Sequence, residues 1–136
     1  MKKLYNTSLM YLVIALVGGV FYREFTKFNH FYGITKLSVF HTHALILGTF
    51  LFLIVLLFVR NHNDVLESKD FKRFYTIYNI SLPLFLITLL IRGIVEVLQP
   101  SLSSAMNAAL SGIAGLTHIL LTIGFVFLFK VIKKTL

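Results

Sequence analysis

The chain has 136 residues, of which 57% are hydrophobic and 13% charged, and its formal charge is +8. A mean hydropathy of +0.86 excludes an ordinary soluble domain of this length and marks an integral membrane protein. The absence of cysteine excludes disulfides, thiolate metal sites and Cys nucleophiles, which leaves histidine as the one good nitrogen ligand.

Four apolar runs are long enough to cross a hydrocarbon core, which takes about 20 helical residues. The first, Leu4 to Tyr22, follows a basic start in MKKLYNTSLMYLVIALVGGVF and has the outline of a secretory signal. It lacks an A-x-A site and YREF follows directly, so it reads as a retained helix. REFTKFNHFYGITK then makes a polar, aromatic connector suited to an interface. The second run, Leu37 to Val59, leads into the charged connector RNHNDVLESKDFKR. The third, Phe74 to Leu98, leads into the turn-forming QPSLSSAM, and the fourth is Asn107 to Phe129. All four are predicted as α-helices, because a segment in lipid must satisfy its own backbone. The expected fold is all-α: one domain over residues 1–136, four transmembrane helices in an antiparallel bundle.

The Lys and Arg lie mostly at the ends of these runs, a distribution that sets topology and argues against a nucleic-acid partner. The N-terminus, the second connector and the C-terminal tail hold nine of them, the first connector three and the third none. Both termini are therefore expected on the cytoplasmic side. His41 and His43 then lie about 6 to 10 Å below the outer start of the second helix, with Arg92 at a similar level and His118 deeper on the fourth.

Projection at about 100° per residue gives each helix one polar or small-residue face. These faces are Thr7, Tyr11, Ala15, Gly18 and Tyr22 on the first; Ser38, His41, Ala44, Leu45, Gly48 and Phe52 on the second; Tyr78, Ser81, Phe85, Thr88, Arg92, Glu96 and Gln99 on the third; and Ala108, Ser111, Gly115, His118 and Thr122 on the fourth. Small residues at such spacings let membrane helices approach closely. Ionisable groups at depth need another reason, and face the bundle interior, paired or liganded.

His41 and His43 stand roughly 200° apart around a helix, so they cannot chelate one ion together. The i, i+4 His pair of H-E-x-x-H is absent. His41 shares its face with Ala44 and Gly48, and His118 shares its face with Ser111 and Gly115, so a flat ligand fits against either. His43 shares its side with Val39, Ile46, Leu47 and Phe50, and must meet another helix, a second cofactor or a second subunit; a neutral imidazole bonded to a backbone carbonyl is the plainer reading. Haem b asks for axial imidazoles from facing helices, small residues beside the macrocycle, and cations for its propionates. His118 with either His41 or His43, Gly48 and Gly115 beside the plane, and Arg92 near the propionates would supply them. Arg92 and Glu96 are four apart and also form an ion pair suited to the interface. His30 and His62 fall in connectors.

The leading expectation is a small haem b membrane protein for electron transfer or for haem or gas handling. Two alternatives stand beside it: a Zn, Cu or Fe site from His41, His43, Glu96 and His118, or an accessory subunit whose polar groups only specify helix pairing. No nucleophile and base stand at supporting spacing, so no catalytic residue is assigned. The implied partners are the lipid bilayer, a quinol, and a second copy or a larger respiratory complex.

On HTHALILGT, YREFTKF, RGIVEVL and SGIAGLTHI, nearly the whole chain resembles an uncharacterised bacterial family of small four-helix membrane proteins, a domain of unknown function. That resemblance implies a multi-pass protein of the bacterial cytoplasmic membrane and supplies no activity. A second likeness is to subunit I of the haem-copper oxidases and nitric oxide reductases, where one helix carries a His-x-His pair reaching different haems. It implies that either His41 or His43 is a haem ligand. The chain departs from that pattern in length, in lacking an adjacent His-His pair for copper, and in having too few histidines for two fully ligated haems plus copper.

Overall fold

Four long helices and no strand make up the fold in the computed structural model, which describes residues 1–136. They span Lys2–Phe28, Leu37–Asn61, Lys69–Leu98 and Ser104–Lys133, with a short 3-10 turn at Asn63–Glu67 before the third. By length and composition all four can cross a membrane.

The helices outrun the apolar segments because their boundaries are set by capping, not by hydropathy. The first continues through Arg23 and Lys27 to Phe28, where the Asn29 side chain donates to the Phe25 carbonyl at 2.8 Å. The third starts at Lys69 because the Ser68 hydroxyl accepts from the Phe71 amide, and Ser103 caps the fourth through the Met106 amide in the same way. Gln99, in the left-handed region at φ 48°, ends the third helix just before Pro100. Glu67, in the turn before that helix, accepts from the Lys72 ammonium at 2.9 Å, which holds its carboxyl below the usual range.

Sequential neighbours run antiparallel, and the core is built by the first three helices together with the C-terminal half of the fourth. Glycines set the spacing: a Cβ on Gly18 would strike Phe40, one on Gly48 would strike Tyr11, and one on Gly93 would strike the Leu37 backbone nitrogen at 2.5 Å. The first and third helices, which run parallel, are joined near the termini by hydroxyls, Thr7 to Tyr75 at 2.6 Å and Tyr11 to Asn79 at 3.5 Å. At the opposite end the second helix is clamped to the third. Thr35 donates to the Gly93 carbonyl at 2.9 Å, and Glu96 accepts the Lys36 amide at 2.6 Å.

One stretch of the second helix is not α. Ala44–Phe50 adopts the wider π form, whose i→i+5 bonding leaves carbonyls open to other donors. Ser8 of the first helix donates to the Thr49 carbonyl and Tyr78 of the third to the Leu47 carbonyl, each at 2.9 Å.

The fourth helix departs from the expected closed bundle. It packs chiefly on the third, and its buried residues are Thr117, Leu121, Gly124, Leu128 and Val131. The predicted inward face of Ala108, Ser111, Gly115, His118 and Thr122 is exposed throughout. This helix is apolar on every side, so small and polar residues give no reliable amphipathic stripe; the close approach of Gly124 to Tyr78 decides its rotation instead. From Ser104 to Leu116 it buries nothing.

Glycines with and without neighbours predict opposite responses. Gly93→Ala should destabilise by about 1–3 kcal/mol through overpacking. Gly112→Ala, where an added methyl meets nothing within 4 Å, should be neutral or gain up to about 1 kcal/mol of helix propensity. Thermal unfolding in detergent distinguishes the two.

Candidate functional site

Where the fourth helix leaves the core, a groove of about 290 Å³ opens on the third. Its floor is Phe85, Thr88 and Leu89, its far wall Leu110, Ala114 and His118, and Lys36 and Arg92 stand at its mouth. The floor follows from the third-helix stripe already visible in the sequence, because Phe85, Thr88 and Arg92 recur at helical spacing.

Phe85 touches two of the three histidines that lie within the long apolar helices. Its ring centre lies 5.4 Å from that of His43 and 4.7 Å from that of His118, edge-on to the latter at 82°. His43 thus meets another helix. In both imidazoles Nδ1 sits 2.7 Å from the carbonyl four residues earlier, Val39 for His43 and Ala114 for His118. A carbonyl only accepts, so Nδ1 carries the proton and Nε2 keeps a free lone pair. That is the arrangement in which a histidine serves as a metal ligand, with its tautomer and ring plane fixed from behind.

His41 belongs elsewhere. It leans on the first helix opposite Gly19, its Nδ1 is buried without a partner, and Nε2 is 3.4 Å from the Thr42 hydroxyl. The small residues expected to seat a plane beside it are committed to packing: Ala44 is fully buried and Gly48 receives Tyr11. Gly48 therefore lies outside the groove, and of the two second-helix histidines it is His43 that reaches Phe85 on the groove floor. Gly115 neighbours His118 on the fourth helix but faces open space.

At the mouth, Arg92 reaches the carboxylate of Glu96 at 4.0 Å and donates to the Asn107 side chain at 3.1 Å. It thereby links the end of the third helix to the first turn of the fourth. His41, His43, Glu96 and His118 do not converge, and no cluster of three or more His, Cys, Asp or Glu could hold a metal ion. The groove itself offers one imidazole, His118, with an apolar floor and two cations, and His43 stands behind Phe85 on the second helix.

The family model described as a protein of unknown function (DUF2871) matches residues 1–135. The chain belongs to this family. No curated protein and no solved structure matches it. For this DUF2871 chain the side chains themselves therefore carry the functional argument. Phe85, Lys36 and Asn107 were not singled out as site residues from the sequence. Phe85 was legible, seven residues before Arg92 on the same stripe, whereas Lys36 and Asn107 enter only because the helix ends meet.

Outside the groove, the hydrogen bond from Tyr78 to the Leu47 carbonyl ties the third helix to the second. Tyr78→Phe should cost about 1–3 kcal/mol by leaving that carbonyl unpaired, read as a lower unfolding temperature in detergent. Tyr5→Phe, at a half-exposed position, should cost nothing measurable.

Proposed function

We propose that this chain is a multi-pass protein of the bacterial cytoplasmic membrane, with both termini cytoplasmic, that binds b-type haem in the outer half of the bilayer. The observation that carries the reading is the matched state of His43 and His118: both lie against Phe85, both have Nδ1 tied to a backbone carbonyl, and both keep Nε2 free. Haem needs only one or two protein ligands, whereas a Zn or Cu site asks for three or four. Two donors without a third favour haem.

Each residue then has a task. His43 and His118 would hold the iron, Phe85 packs against both imidazoles, and Arg92 with Lys36 would receive the propionates at the mouth. Ala114 and Ser111 keep the far wall low enough for a flat ring. Bound haem supplies one-electron chemistry. Two imidazoles fill both axial positions and suit electron transfer, with a quinol or a larger respiratory complex as redox partner.

At about 290 Å³ the groove is just below the usual size of ligand sites, about 300–1,000 Å³, so a haem needs it to widen. The fourth helix buries no side chain between Ser104 and Leu116, so an outward swing of that half loses little packing. Haem entry from the lipid side is consistent with this.

The test is an optical spectrum of detergent-purified protein, oxidised and dithionite-reduced, after expression with haem available. Soret and α bands at one haem per chain are expected. His43→Ala and His118→Ala should each abolish the low-spin spectrum, and His41→Ala should leave it intact. A colourless protein, or an unchanged spectrum in His118→Ala, would overturn the reading.

A further inference from the structure

A second site stands at the end of the bundle that carries both termini. That end holds nine Lys and Arg against three carboxylates, Asp64, Glu67 and Asp70. The carboxylates are largely engaged: Glu67 pairs with Lys72, and Asp70 takes Lys134 at 2.5 Å and Arg73 at 3.8 Å. Where the third and fourth helices meet, cations exceed carboxylates. Arg73 lies 5.7 Å and Lys130 5.3 Å from the centre of the Phe127 ring, and Lys133 follows Lys130 on the next position of its face.

Lys130 and Lys133 also close an apolar groove. A depression of about 390 Å³ runs along the fourth helix over Thr122, Phe125, Val126 and Phe129 and ends at Lys130 and Lys133. No carboxylate lines it. A ligand matching this surface has a chain of apolar carbon along its length and a single negative head at one end, and the head belongs where the apolar run stops. We infer that this is a binding site for an anionic phospholipid, its phosphodiester held by Lys130 and Lys133, and one acyl chain lying over Val126 and Phe129.

The inference needs the membrane reading but not the haem. Its energetics are those of basic residues at an anionic leaflet, about 1 kcal/mol or roughly fivefold in affinity for each cation. A neutral zwitterionic lipid has the same chains but no net charge, so it lacks that gain.

Native mass spectrometry of the full chain, released from micelles holding equal phosphatidylglycerol and phosphatidylcholine, reads the preference directly. Retained phosphatidylglycerol in clear excess is expected, falling roughly fivefold for each cation removed in Lys130→Gln and in the double variant Lys130→Gln, Lys133→Gln. Lys27→Gln, at the other end, should change nothing. Equal retention of the two lipids by the wild-type chain overturns the proposal, and this comparison stands whatever the variants do. Displacement of the lipid by millimolar inorganic phosphate would reassign the cations to a free anion and overturn it too. A chain recovered from the soluble fraction without detergent would instead sink the membrane reading, whereas a detergent-requiring chain with no lipid preference sinks this proposal alone.

Discussion

The structure turns on Tyr78. Its side chain is fully buried on the third helix, its hydroxyl donates to the Leu47 carbonyl of the second, and its Cβ faces Gly124 of the fourth. Around the ring stand Phe52, Phe74 and Phe125, all within 6 Å between centroids. One residue therefore joins three helices by two different forces. The hydrogen bond answers a carbonyl that the π segment has released, which is costly to leave unpaired in apolar surroundings. The aromatic contacts and the glycine hold the fourth helix where no backbone bond exists to do so.

From that point the molecule divides. Toward the termini the helices interlock: the fourth buries Leu121, Leu128 and Val131, and the hydroxyl pairs Thr7–Tyr75 and Tyr11–Asn79 close the first helix on the third. Away from the termini the second and third helices stay clamped by Thr35, Gly93 and Glu96, but the fourth is held there by the Arg92–Asn107 hydrogen bond, the His118 ring on Phe85 and half-buried Leu110 and Ala114. A bundle that is tight at one end and three-helix at the other must open a groove along its unclosed side. The candidate site is that opening, so its place follows from which helix lacks a second neighbour.

The sequence made the four helices, the ends of their apolar runs, and the inner faces of the first three legible, because those faces combine small residues with bulky ones at helical spacing. Tyr11, Ala15 and Gly18, then Ala44 and Gly48, then Tyr78, Ser81 and Phe85 all lie where the projection put them. The fourth face was not legible: SGIAGLTH carries Ser, Gly and His on a helix that is otherwise apolar all round, and polarity does not predict burial when the surroundings are themselves apolar. The same limit governed the histidines. Their opposed directions followed from geometry alone, but which of His41 and His43 meets the third helix did not, because a small residue such as Gly48 reads the same whether it faces open space or receives a tyrosine.

The two imidazoles that share Phe85 differ in how firmly they are held, and this bears on what the site can do. His43 is half-buried on the clamped second helix, one residue before the π segment, so both ends of its local backbone are fixed. His118 is exposed on the fourth helix, next to the buried Thr117 that marks where packing begins. Residues N-terminal to it belong to the free half; those C-terminal to it belong to the core. A ligand that requires both imidazoles gains affinity from the fixed donor and selectivity from the movable one, since only a group that reaches across the groove keeps the fourth helix closed. If the half from Ser104 to Leu116 moves, His118 stands at its boundary while His43 stays with the clamped helices, so how far apart the two imidazoles stand depends on how much packing that half acquires when the groove is filled.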